Sequence, residues 1–312
     1  MSDFENSLRL SAVYMESRAA GASLAADPYW PKWDSPWWHI TIWFELGMAD
    51  RIPPLVLSQF LDTCRTHYLD FFPFLESEVP AGKDPLRHVA CHCALATVFR
   101  IATAAGLDPD HEIPWARSWF LKYQLPDGGW NCDEAAYLRP TPKSSIVSTV
   151  PVLEALLEGT RRPFTPAEIS ALRAGAGYLL AHRLFRRRES GEIINQAWTN
   201  LCFPRFYEYD VLRGLAFLCR LEERLGQQII SGEAEEAVEM VKKAIDPETG
   251  HPIIGRRAWA GAKTRFQAAD GIWSTGKPAA SFPLLEAVGL PGAPCGFLAP
   301  DLAVVRKRFA IA

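Results

Sequence analysis

Two kinds of segment alternate along this chain. Trp37–Met48, Leu86–Ala104, Ser144–Leu157, Tyr207–Cys219 and Ala279–Val288 are apolar on nearly every side of the helical repeat, which predicts helices buried all round. Pro54–Leu69, Pro114–Tyr123, Thr165–Arg183 and Glu233–Ala244 confine their apolar residues to one stripe and carry the charges, which predicts amphipathic helices of an outer layer. The buried segments recur about every 45–65 residues, a spacing found in repeat architectures. Strand patterning is scarce, and Glu192-Ile-Ile-Asn195 is the one short candidate. The expected fold class is therefore all-α, about ten to twelve helices in a single domain over residues 1–312.

Local signals set several boundaries. Thr165-Pro166 with Glu168 predicts a capping box at the start of one outer helix. Asp246-Pro-Glu-Thr-Gly250 and Arg188-Glu-Ser-Gly191 are turn-forming. The most specific stretch is Gln124-Leu-Pro-Asp-Gly-Gly-Trp130. Gly128 and Gly129 admit the positive φ of a tight turn, Gln124 ends the preceding helical run, and Trp130 offers a large packing surface with one N–H to satisfy. The reading is a helix–turn–helix joint pinned by a contact between Gln124 and Trp130.

This joint resembles the repeat turn of the terpenoid cyclases and protein prenyltransferases. Three further segments are similar to bacterial prenyltransferase-like or squalene-cyclase-like proteins: His182-Arg-Leu-Phe-Arg-Arg187, Ala197-Trp-Thr-Asn-Leu-Cys-Phe-Pro204 through Tyr209-Asp-Val-Leu-Arg-Gly-Leu215, and Gly276-Lys-Pro278 with the helix after it. The resemblance covers roughly residues 85–290 and implies an α/α toroid of inner and outer helices around a central cavity. The resemblance brings no settled reaction; the leading reading is an enzyme that cyclises or isomerises a hydrophobic isoprenoid or polyene substrate by acid in an aromatic-lined cavity. The chain departs from the family in lacking the Asp-x-Asp-Asp, Asp-Cys-Thr-Ala-Glu and Asp-Asp-x-x-Asp motifs. A non-catalytic isoprenoid- or lipid-binding toroid is the second reading.

Composition fits that frame. The 11 Trp, 17 Phe and 8 Tyr suit an aromatic-lined interior, and a net charge of −3 gives no electrostatic case for nucleic acid. The arginines at 183, 186, 187 and 188 read as a solvated helix end. No stretch is apolar enough to predict a transmembrane segment, and Met1–Asn6 lacks the order of a signal peptide. Seven cysteines without regular spacing suit reduced thiols, so a cytoplasmic protein is expected.

In a toroid the inner helices run parallel, and their N-termini gather at one mouth with partial positive charge. Polar residues early in the buried segments are therefore the candidates. Asp210 is the leading proton donor, one helical turn after Tyr207, with a helix-capping role as the alternative reading. His39 is a candidate base or cavity wall, and Trp38 beside it a cation-stabilising face. Phe206, Glu208, Tyr209 and Ser148 complete the expected substrate-binding set. His88 and His92 lie four residues apart, with Cys91 and Cys93 alongside. They are catalytic candidates, or the ligands of a zinc-dependent lyase or transferase in a third reading. No cofactor or metal is otherwise expected.

Overall fold

The computed structural model describes residues 3–66, 91–258, 263–267 and 273–311. The helices are α1 (Asp3–Met15), α2 (Arg18–Ala26), α3 (Trp37–Glu45), α4 (Pro54–Thr66), α5 (His92–Ala104), α6 (Pro109–Glu112) and α7 (Ala116–Lys122). They continue with α8 (Glu134–Tyr137), α9 (Ile146–Glu158), α10 (Pro166–Ala181), α11 (Val211–Leu225), α12 (Glu235–Lys243), α13 (Pro283–Val288) and α14 (Ala299–Phe309). The protein is mostly helical, as its patterning predicts. An antiparallel hairpin of β1 (Lys263–Gln267) and β2 (Trp273–Pro278) is the departure. Each strand is too short for its alternation to stand out in the sequence. Glu192–Asn195 contributes only a single bridge, Ile193 to Arg186.

All five all-round apolar segments contribute helices: α3, α5 and α13 lie inside them, α9 ends one residue beyond, and α11 starts late and runs on to Leu225. In α9 every residue from Ser148 to Leu157 is buried, and α5 is buried from His92 to Phe99. The four striped segments become α4, α7, α10 and α12. The capping box is present: Thr165 Oγ1 accepts from the Glu168 N–H, and Glu168 accepts from the Thr165 N–H at 2.7 Å. One hydrophobic cluster runs from Leu8 to Val305.

Two sets of contacts orient the inner helices. Cys132 lies against the first turns of both α5 and α9, through the Cys93 N–H and the Ser148 hydroxyl. Two turns deeper, Arg100 of α5 reaches Glu154 of α9 at 2.6 Å. Meeting at both depths makes α5 and α9 parallel. α11 follows the same direction from a deeper start: Arg213 in its first turn meets Glu154, and Arg220 feels Glu158 farther along. The starts of α5 and α9 thus share one end of the core, and α11 begins below them.

The glycine–tryptophan turn is built differently from the expected Gln124–Trp130 contact. The Gln124 amide donates to Gly128 O (2.7 Å) and Ala171 O (2.9 Å), clamping the turn to α10. The Trp130 indole donates to Phe120 O at 2.8 Å, so it satisfies the end of α7. Gly128 sits at φ 99, and a Cβ there would strike the Ala174 carbonyl. At Gly129 the same atom would run into Thr149 and Ser144. The Trp130 N–H also donates to Thr149 Oγ1 (2.9 Å), which ties the turn to the start of α9.

Trp130 is fully buried. Trp130→Ala should lower unfolding free energy by about 3–5 kcal/mol, read from urea denaturation. An unchanged midpoint would contradict this structural role.

Candidate functional site

The segment before α11 gathers most of the predicted chemistry, and its geometry is irregular. Tyr207, Glu208 and Tyr209 precede the helix, which starts at Val211. The expected shared helical face of Tyr207 and Asp210 does not form, because the chain is still in a turn there. Asp210 is the N-cap: its Oδ1 accepts the Arg213 N–H at 2.9 Å, and Oδ2 accepts the Cys202 N–H at 3.1 Å. The Arg205 guanidinium closes on both oxygens, at 2.8 and 3.1 Å. A fully buried carboxyl group held by four donors has a structural role. This geometry fits the capping alternative and not a free acid aimed at substrate.

Glu45 does the neighbouring work. At the end of α3 it accepts the backbone N–H groups of Arg205 (2.6 Å) and Phe206. Phe206 adopts φ 55, an unusual conformation for a bulky residue, where these bonds hold it. Burial raises the Glu45 pKa, although those N–H groups and Arg213 and Arg205 oppose the rise. Arg205 in turn donates to Asp301 of α14. Glu208 pairs with Arg256 at 3.2 Å, and Tyr209 donates to Leu184 O at 2.8 Å while packing edge-on against Trp198. Glu208 and Tyr209 therefore secure the loop and line none of the cavities described below.

Three other predicted residues do meet. Trp38 packs edge-on against Phe206 at 5.3 Å and lies 6.4 Å from Tyr207. Trp33, unsuspected from sequence, joins them, 4.2 Å from Trp38 and 5.7 Å from Tyr207. Lys32 donates to the Tyr207 hydroxyl at 2.9 Å and lies over the Tyr207 ring. Trp33 and Trp38 form one wall of a cavity of about 280 Å³ completed by Ser11, Tyr14, Asp34, His39 and Phe282, among others.

His39 is the chemical centre of this cavity. Its ring stacks on Phe282 at 4.0 Å and lies 4.3 Å from Tyr14. Nδ1 is 2.8 Å from Ser11 Oγ, and the Trp43 indole donates to that same oxygen at 3.0 Å. With Trp43 on one lone pair, we assign the Ser11 proton to His39 Nδ1, which leaves the imidazole N–H on Nε2. Burial lowers the His39 pKa from 6.5 to about 3, because the charged form loses its hydration. Unfolding restores the ordinary value, so His39 contributes stability above about pH 6.5 that is lost progressively as pH falls towards about 3. Sequence reading reached His39 and Trp38 but not Ser11 or Tyr14. Those two stand three residues apart on α1, a helix that had not been assigned.

On other elements, His92 and Ser148 meet around Cys132. His88 lies outside the described residues. His92 Nδ1 is 3.0 Å from the Asn131 carbonyl, and burial lowers its pKa. Beside His92, among the described residues, three thiols come together: the Sγ atoms of Cys91, Cys93 and Cys132 all lie within 4.8 Å of one another. Hydrogen bonds from Cys91 and then Cys93 hold the Cys132 thiol well below its ordinary pKa.

No known protein family profile matches this chain, and no curated protein matches it. Among solved structures it is similar to the type II terpene cyclase MstE from Scytonema, determined with its substrate geranylgeranyl dihydroxybenzoate. The TM-score is 0.40 at 14% identity, and the match covers 80% of this chain and 66% of that one. Among the described residues no helix is long and apolar enough to cross a membrane.

Asp210→Asn keeps a capping side chain but removes one of the two carboxylates that Arg205 pairs with, Asp301 being the other. It should cost about 1–3 kcal/mol of stability, measured by chemical denaturation. Wild-type stability in this variant would return Asp210 to the list of candidate acids.

Proposed function

We propose that this protein is an enzyme that holds a hydrophobic polyene or isoprenoid substrate in the Trp33–Trp38–His39 cavity and cyclises or isomerises it there. A single α/α toroid enclosing that cavity is part of the same proposal. The observation that carries the reading is the join of an aromatic wall to an uncharged, oriented imidazole. An indole face turned to the cavity from the Trp33–Trp38 wall would stabilise a carbocation through its negative quadrupole, beside a mostly apolar lining.

The Ser11–His39 pair then supplies the step that ends such a reaction. A carbocation makes its neighbouring C–H bonds strongly acidic, so even an imidazole of depressed basicity removes the proton. Ser11 Oγ takes that proton as its own passes to His39 Nδ1, and the C–H electron pair becomes the new double bond. Asp34, exposed at the rim, is the carboxyl in the described lining of the cavity.

The test uses purified protein with linear polyprenyl alcohols, their diphosphates and hydrocarbon polyenes. Binding is read by native mass spectrometry and products by gas chromatography. His39→Gln should retain binding and lower turnover by about 10²–10⁴-fold. Binding without turnover in either protein would establish a non-catalytic lipid carrier instead. Failure of every polyene to bind would overturn both readings.

A further inference from the structure

The cavity chemistry makes no use of Cys91, Cys93 and Cys132, yet their arrangement is the most specific in the molecule. Cys91 stands at the cap of α5, Cys93 in its first turn, and Cys132 two residues after the turn tryptophan. Cys91 Sγ and Cys93 Sγ are 3.1 Å apart, well beyond the roughly 2.05 Å of a disulfide. A tetrahedral zinc ion with Zn–S bonds of about 2.3 Å holds its sulfurs about 3.8 Å from one another. Three sulfurs within 4.8 Å therefore close on a common centre with small movements of side chains.

We infer that Cys91, Cys93 and Cys132 form a binding site for a soft d¹⁰ cation, zinc, with three thiolate ligands and a fourth position left for a small ligand. The donor set suits this ion, since thiolates select zinc over magnesium or calcium. The outer contacts suit it as well. The Cys93 N–H donates to Cys132 Sγ at 3.4 Å, and the Cys132 N–H donates to the Ser148 hydroxyl at 3.1 Å, which fixes the Cys132 backbone beside α9. An N–H donor to sulfur at the positive end of α5 stabilises the excess negative charge of a trithiolate.

His92 is not a fourth ligand through Nδ1, which is spent on Asn131 O. Cys91 and Cys132 are both partly exposed, so an ion has a route in. Three protein ligands with one open position are the arrangement of reactive rather than purely structural zinc sites. The site uses none of the side chains of the Ser11–His39 pair, so zinc binding is tested separately from the polyene reading.

The experiment uses the full-length protein, reduced and freed of metal, with Zn²⁺ alone and then Co²⁺ alone as probes. Equilibrium dialysis with elemental analysis should find one zinc per chain. Cobalt should give thiolate charge-transfer and intense tetrahedral d–d bands that zinc abolishes. Cys132→Ser should lose the bands and at least tenfold in zinc affinity, while Cys219→Ala, on α11, keeps both. If Cys132→Ser does not fold, the cobalt spectrum of the wild-type protein decides alone. Weak octahedral cobalt bands, the absence of stoichiometric zinc, or a Cys91–Cys93 disulfide persisting under reduction would each overturn the site.

Discussion

The buried carboxylate of Glu154 governs the register of the inner helices. Its oxygens receive Arg213 at 2.9 and 2.6 Å and Arg100 at 2.6 Å, so a single side chain of α9 joins α5 and α11. Burial alone would raise its pKa; Arg100 and then Arg213 outweigh that and hold it below the ordinary value. Buried ion pairs are weak sources of net stability but severe judges of geometry, because any slip strands a charge away from water. Sliding α9 by one turn would break both contacts. The pairing therefore determines how far each inner helix extends, and with it where the α5 and α9 starts present Cys93 and Ser148.

A second ionic centre shapes the loop ahead of α11. Arg205 joins Asp210 to Asp301, and Glu45 collects the Arg205 and Phe206 backbone N–H groups. The result turns Phe206 towards Trp33 and Trp38. Polar side chains thus build the support, and the aromatic surface is what they position. Catalysis in the proposed reading belongs to the side chains left facing space, Ser11 and His39, rather than to the best-bonded acid.

Much of the helical layout was legible because periodicity is a local property. The segments that became α3, α5, α9 and α11, and the Thr165–Glu168 capping box, depend on neighbours within a few turns. The site was less legible because its partners are distant in the chain. Ser11 meets His39 across 28 positions, Cys93 meets Cys132 across 39, and Arg205 meets Glu45 across 160. Asp210 shows the resulting error. An acid beside a buried helix has the same sequence signature whether it faces a pore or caps the helix, and only Arg205, Cys202 and the Arg213 N–H distinguish the two.

The neutral, Ser11-oriented His39 is the point on which the functional account stands. ¹⁵N NMR of histidine-labelled protein, assigned with His39→Gln, reads protonation and tautomer of that ring directly. The account predicts an Nε2–H imidazole that stays neutral at about pH 5 and titrates only near about 3, since burial opposes its charge. A midpoint near the ordinary 6.5, or a proton on Nδ1, would contradict it.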